Sequence, residues 1–78
     1  MATRSWTVRS PEDFGRVIAE IRRERGMTQE ELAATGGLTR AWLAQLETGR
    51  TARSLEHILR LLRRLGASVT VTVGDDRG

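Results

Sequence analysis

Residues 28–49 read TQEELAATGGLTRAWLAQLETG, and their spacing predicts two short helices joined by a tight turn. Thr28 and Glu31 are spaced as a capping box, in which each side chain bonds to the other residue's backbone N–H, so a helix is expected to begin directly after Thr28. Gly36 and Gly37 are expected to end that helix after two turns, because a glycine adopts the left-handed backbone conformation without a Cβ clash.

The second of these helices has one apolar side. Thr39 is placed to cap it, and Leu43 and Leu46 recur three residues apart, which predicts that both face the core. Five other side chains fall away from that stripe and are free to contact another molecule: Arg40, Ala41, Trp42, Gln45 and Thr48.

A further helix is predicted on each side of this segment. Ser10 and Pro11, followed by two acidic residues, have the form of an N-cap and first turn, and the helix should run to about Arg25. Its apolar stripe consists of Phe14, Val17, Ile18 and Ile21. The last helix is expected to run from a Ser54 cap to Gly66, with Leu55, Ile58, Leu59, Leu61, Leu62 and Leu65 apolar. That stripe is wider than one core contact needs, so Leu61 and Leu65 are predicted to be buried by a second protomer.

Residues 67–73 alternate between apolar residues (Ala67 and three valines) and hydroxyl-bearing residues, which is the period of a strand. Val69, Val71 and Val73 then share one face. A single strand needs a partner, and the simplest one is the same segment of a second molecule, antiparallel across a two-fold axis. The alternatives are a frayed tail, or an additional outer strand formed by residues 6–8.

Composition favours a small cytoplasmic domain. The chain has 78 residues and no cysteine, which argues against disulfides and thiolate metal sites. No apolar run is long enough to span a membrane, and residues 1–10 lack a secretory apolar core. No nucleophile with a base, paired-carboxylate cleft or metal cluster is evident, so neither an enzyme nor a cofactor is expected.

The positive charge is concentrated after the glycine-turn segment. All 13 basic residues are arginine, and the net charge of the whole chain is only +3. Residues 49–66, however, contain five arginines and one acidic residue, a local charge of +4. Such a flank is suited to a phosphate backbone, although Arg60, Arg63 and Arg64 are equally compatible with a solvated helix face.

The segment 28–49 resembles the helix-turn-helix of the Xre and phage-repressor family without a gap. The likeness extends to Ile18, Ile21 and Arg22 before Gly26, and to the sequence from Gly49 to Gly66. Two departures are Gly36 in place of the usual alanine and Arg53 in place of a common proline. Within the family, the Ser10-Pro11 start and the Val/Thr strand are most similar to HipB-type antitoxins, which dimerise partly through such a strand.

The resemblance implies roles for individual residues. Arg40 matches the position that reads bases, and its planar fork suits guanine; a phosphate contact is the alternative. Gln45 suits adenine, and Ala41 suits a thymine methyl group. Trp42 either lies on the sugar-phosphate wall or covers the junction near Gly36. The predicted DNA contacts are Thr28, Gln29, Thr39, Arg40, Ala41, Trp42, Gln45, Arg50 and Arg53, with Gln29, Arg50 and Arg53 on phosphates.

The resemblance also implies a structural ion pair between Arg22 and Glu47. The wide apolar stripe and the alternating strand together predict a dimer interface formed by Leu61, Leu65, Val69, Val71 and Val73. The predicted fold is all-α, a four- to five-helix lambda-repressor-like domain with a C-terminal strand that pairs across a homodimer. Its parts are an N-terminal arm (1–9), the helix-turn-helix domain (10–66) and the dimerisation strand with a short tail (67–78).

The expected function is sequence-specific transcriptional repression at a palindromic operator. The resemblance narrows this to an antitoxin that regulates its own operon with a HipA-like kinase toxin as partner. The alternatives are an ordinary Xre-type or phage-like regulator and a protein-binding adaptor of the same fold. The tail after Val73 is too short for a long toxin-inserting arm.

Overall fold

A computed structural model of the chain describes residues 4–50 and 53–74. In order, its elements are β1 (Arg4–Val8), α1 (Pro11–Glu24), α2 (Gln29–Thr35), α3 (Arg40–Glu47), α4 (Arg53–Arg64) and β2 (Val69–Val73). The predicted four helices are therefore present in the described residues. The all-α description is incomplete, because a small two-stranded sheet packs beside the helices.

The start of α1 follows the predicted capping pattern. The Ser10 hydroxyl accepts a hydrogen bond from the backbone N–H of Asp13 at 3.2 Å, and the Asp13 carboxylate accepts one from the backbone N–H of Arg9 at 2.8 Å. The second bond is the main reason why the pKa of Asp13 lies below its ordinary value. The helix ends at Glu24, one residue before the expected end.

The capping box at Thr28 is confirmed. Its hydroxyl accepts from the Glu31 backbone N–H at 3.0 Å, and the Glu31 carboxylate accepts from the Thr28 backbone N–H at 2.8 Å. The two glycines of the turn differ in conformation: Gly36 has a φ of −100°, and only Gly37, with a φ of 70°, is left-handed. The sharp reversal of the chain therefore depends on Gly37.

Helix α4 corrects one predicted boundary. It begins at Arg53, so Ser54 lies inside the helix and is not its cap, and Arg53 is not a loop residue. The expected end is close to the observed one, since Gly66 follows the last turn with a φ of 74°.

The C-terminal strand has a partner within its own chain, whereas the simplest partner expected from the sequence was the same segment of a second molecule. Strands β1 and β2 pair antiparallel, with Trp6 opposite Val71 and Val8 opposite Val69. The proposed outer strand at 6–8 is thus real and longer, from Arg4 to Val8. Its signal in the sequence was weak, because only Trp6 and Val8 alternate with polar residues there.

The side chain of Arg4 connects β1 to α1. Its guanidinium lies 4.8 Å from the centre of the Trp6 ring and forms ion pairs with Glu24 and, at 3.6 Å, with Glu20. These contacts hold the strand against the first helix, and Val8 at the end of the strand is buried.

The core is formed by small and medium side chains from β1 and the four helices. The buried hydrophobic residues are Val8, Val17, Ala19, Ala33, Leu43 and Leu59, each at most 4% exposed. Phe14, Ile18 and Ile21, predicted as the centre of the α1 stripe, are only half-buried. Helix α1 instead meets α3 through Gly15, where an added Cβ would lie 2.0 Å from the Leu46 carbonyl oxygen. No helix in the described residues has the length and apolar character that crossing a membrane requires.

Candidate nucleic-acid interface

Helix α3 divides into a buried side and an exposed side, as its sequence predicts. Leu43 is 2% exposed and fixes the helix to the core. The Thr39 hydroxyl caps its first turn by accepting from the Trp42 backbone N–H at 3.1 Å. The predicted contact residues of this helix, Arg40, Ala41, Trp42 and Gln45, are all exposed. A surface of two polar side chains, one methyl group and one aromatic ring is therefore presented by a rigid element.

Trp42 is half-exposed, at 49%. Leu38, rather than the indole ring, lies next to Gly36: a Cβ added at Gly36 would meet Leu38 Cδ1 at 3.6 Å. Of the two interpretations that the sequence left open, the exposed ring fits this arrangement better. The Trp42 side chain is available to a ligand of α3.

Arg22 and Glu47 form the ion pair that the resemblance implies. Arg22 Nε and Nη2 donate to the two carboxylate oxygens of Glu47 at 2.7 and 3.1 Å, and Arg22 Nη1 donates to the Met27 carbonyl oxygen at 2.8 Å. The side chains are only 12% and 5% exposed. The pair therefore fastens α1 to the end of α3 and to the loop before α2.

Gln29 joins the same cluster, which sequence reasoning did not anticipate. Its amide nitrogen donates to Glu47 Oε1 at 2.9 Å. Burial by itself raises the pKa of Glu47, but the hydrogen bonds from Arg22 and Gln29 outweigh burial and hold this pKa below its ordinary value. The carboxylate is thus ionised at neutral pH, and the pKa of Arg22 is raised by its bond to Glu47.

The loop after α3 carries the remaining predicted contacts. The backbone N–H of Arg50 donates to the Gln45 carbonyl oxygen at 2.8 Å, which holds the loop against the helix. Gly49 has a φ of 84°, and an added Cβ there would lie 2.6 Å from Glu12 Cγ, so only glycine fits. The side chains of Arg50 and Arg53 are exposed. Thr28, at the start of α2, is exposed as well.

The residues predicted at a dimer interface fall into two groups, exposed leucines and valines that are half-buried within their own chain. Leu61 on α4 and Leu65 directly after it are 62% and 79% exposed, and Ile58 on α4 is 53% exposed. Val69, Val71 and Val73 are half-buried on the side of β2 that Val8 and Trp6 share. In the described part of the chain, β1 occupies one edge of β2 and the second edge carries no strand.

Similarity to known proteins points to one family. A family model described as helix-turn-helix matches residues 18–71. An uncharacterized HTH-type transcriptional regulator of Sinorhizobium fredii is 27% identical over 70 residues, covering 90% of this chain and 92% of the relative. Another, of Methanothermobacter thermautotrophicus, is 48% identical over 50 residues, 64% and 72% of the two chains. The immunity repressor protein of Bacillus phage phi105 is 37% identical over 62 residues, 80% of this chain but 43% of that protein. No solved structure is significantly similar.

Proposed function

Because the chain belongs to the Xre and phage-repressor type of helix-turn-helix transcription regulators, we propose that it is a sequence-specific repressor that binds a palindromic operator as a homodimer. The single observation that carries this proposal is the exposed side of α3. A helix of this kind fits the major groove of DNA, where the edges of all four base pairs are distinguishable.

The exposed side chains of α3 supply three kinds of base contact. Arg40, at the first position of the helix, donates two parallel hydrogen bonds to the acceptors of a guanine. Gln45 offers one donor and one acceptor to an adenine, and Ala41 contacts a thymine methyl group. The Trp42 ring lies against the sugar-phosphate wall. Sequence discrimination therefore arises from α3 itself.

Contacts with phosphates position the domain on DNA without reading sequence. Thr28 and Thr39 use their hydroxyl oxygens as acceptors in capping, which leaves each hydroxyl hydrogen to donate to a phosphate. Arg50 and Arg53 supply the charge-neutralising contacts from the start of α4 and the loop before it. Thr39 and Arg50 lie just before and just after α3 in the chain, so phosphate contacts on both sides of the inserted helix are expected.

Dimerisation places two copies of α3 on one operator. Leu61 and Leu65 form an apolar surface that a second copy would cover, and the open edge of β2 would pair with its two-fold equivalent. A symmetric dimer spaces its recognition helices about 34 Å apart, one turn of DNA. A palindromic site would then bind both protomers.

Selection of bound sequences from a random duplex library, followed by titration at several salt concentrations, tests the proposal. We expect one palindromic motif to be enriched and bound about a thousandfold or more tightly than random duplex, with affinity falling steeply as salt rises. Failure to enrich any motif at low salt would contradict a DNA-reading function and favour the protein-binding adaptor.

A narrower proposal is that the chain is an antitoxin of the HipB type. The Ser10-Pro11 start of α1 and the Val/Thr strand β2 favour this proposal, because they carry the resemblance to those antitoxins. Co-expression with the product of the neighbouring gene tests it: we expect a stable complex with a HipA-like kinase. A neighbour that neither binds nor is toxic would favour an ordinary regulator.

A further inference from the structure

We propose that Glu47, at the end of α3, is a positioning residue that orients the Gln29 amide for a DNA phosphate. The inference rests on the proposed function and on the family resemblance, which implies a phosphate contact for Gln29. Glu47 is the cause of the amide's orientation. It thereby connects the Arg22–Glu47 ion pair to the surface that binds DNA.

The chemistry of the contact fixes which end of the amide faces Glu47. An ionised carboxylate only accepts hydrogen bonds, so the amide nitrogen of Gln29, and not its oxygen, must face Glu47 Oε1 at 2.9 Å. A free glutamine rotates its amide readily. The contact with Glu47 removes that freedom. The entropic cost of fixing the Gln29 side chain is therefore already included in folding and does not weaken DNA binding.

One amide hydrogen remains after the bond to Glu47 is made. The NH₂ group has two donors, and a phosphate, like a carboxylate, only accepts. The two anions are therefore bridged by a single nitrogen, one hydrogen to each. Arg22 neutralises Glu47 through Nε at 2.7 Å and Nη2 at 3.1 Å, so the buried carboxylate does not repel the approaching phosphate.

The side-chain amides of the intact protein give a direct test. The chain contains no asparagine and two glutamines, Gln29 and Gln45, so a ¹⁵N–¹H NMR spectrum has only two side-chain carboxamide NH₂ pairs. We expect one hydrogen of Gln29 to be shifted downfield in the free protein by its bond to Glu47. Adding the selected operator duplex should shift the second hydrogen and leave the first in place. Gln29→Met identifies the pair by removing it and leaves the Arg22–Glu47 contact intact.

Loss of the downfield signal when duplex binds would overturn the inference, because Gln29 would then have left Glu47. Two Gln29 hydrogens that stay unchanged on saturation with duplex would overturn it as well. Neither result affects the proposed function, which fails if no sequence motif is enriched from the duplex library. The two failures are therefore distinguishable.

A double-mutant cycle on duplex affinity provides a second test, with the folded fraction of each variant measured by circular dichroism. Gln29→Met should weaken operator and random duplex equally, by about tenfold. Glu47→Gln should weaken binding of the folded fraction, and the double variant should bind no worse than Gln29→Met alone. The matched control is Gln45→Ala combined with Glu47→Gln, whose losses should multiply. Multiplying losses in the Gln29 cycle would reduce Glu47 to a purely structural role.

Discussion

At the scale of single residues, the ion pair between Arg22 and Glu47 is the most consequential contact. Both side chains are largely buried, so removing one leaves the other charge uncompensated. We expect Arg22→Met to lower the free energy of unfolding by about 3 kcal/mol, measured by urea denaturation. The control is Arg16→Met, because Arg16 is 70% exposed in its pair with Asp13 and its loss should cost about 1 kcal/mol or less. Equal losses in the two variants would contradict this account.

The carboxylates of Glu47 and Asp13 make the stability of the fold depend on pH. The pKa values of Glu47 and Asp13 lie below their ordinary values in the folded protein. Their stabilising contribution is therefore present above the unfolded pKa of about 4 and is lost as the pH falls through the folded pKa. We expect the melting temperature to fall when the pH is lowered from about 5 to about 3. A melting temperature independent of pH in this window would show that neither carboxylate is coupled to folding.

Replacing Arg40 should reduce the discrimination between operator and random duplex. If it reads a guanine, Arg40→Ala should cost about 1 to 3 kcal/mol on the operator and much less on random duplex. Titrations of both duplexes at one salt concentration measure the difference. Equal weakening would assign Arg40 to a phosphate instead.

At the scale of elements, the contact of α1 with α3 depends on the absence of a side chain at Gly15. A methyl group there would meet the Leu46 carbonyl oxygen at 2.0 Å, so the helices must separate. We expect Gly15→Ala to cost about 3 kcal/mol, at the upper end of overpacking effects, in thermal or urea unfolding.

Gly36→Ala is the matched control for that prediction. Gly36 has an ordinary φ of −100°, and its added Cβ would make a normal contact with Leu38. The substitution should raise the free energy of unfolding by about 0.4 to 1 kcal/mol, because it restricts the unfolded chain. A destabilised Gly36→Ala would show that the turn tolerates no Cβ at all.

The arginines at the junction of α3 and α4 should contribute to the salt dependence of DNA affinity. Arg50 and Arg53 are exposed on either side of residues 51–52, and each should release counterions from one phosphate. Replacing either with alanine should flatten the plot of log affinity against log salt by about one unit. An unchanged slope would place that arginine away from DNA, and Glu56→Gln, on α4, serves as the control.

At the scale of the whole molecule, the intrachain sheet changes how dimerisation must be tested. Deleting residues 67–78 would remove the strand that pairs with β1 and would disturb the setting of the buried Val8, so folding and assembly would fail together. The surface leucines avoid this difficulty, since Leu61 and Leu65 are mostly exposed.

Leu61→Gln together with Leu65→Gln should weaken the dimer more than tenfold, because each buried leucine contributes about 1.5 to 3 kcal/mol. Operator affinity should fall in parallel, while the melting profile at low protein concentration changes little. Analytical ultracentrifugation measures the proposed monomer–dimer equilibrium, with Glu56→Gln on α4 as the control. A double variant of undiminished dimer affinity would leave the open edge of β2 as the candidate interface.

The sequence by itself determined the features that depend on local geometry. The Thr28 capping box, the glycine turn, the Thr39 cap and the Ser10 start of α1 involve residues a few positions apart, so side-chain chemistry and helical spacing specify them. The two sides of α3 follow from its periodicity for the same reason. The Arg22–Glu47 pair came from the family resemblance, because 25 positions separate its members and no local rule joins them.

Only the tertiary structure decided the features that depend on approach between distant segments. The pairing of β1 with β2 joins residues more than sixty positions apart, and the weak alternation of β1 gave little sign of it. Gly15 has no periodic signature, since its role is set by the Leu46 carbonyl oxygen of a different helix. The bond from Gln29 to Glu47 likewise arises only when α2 and α3 pack together. Local propensity specifies which elements form, and packing specifies which of their atoms meet.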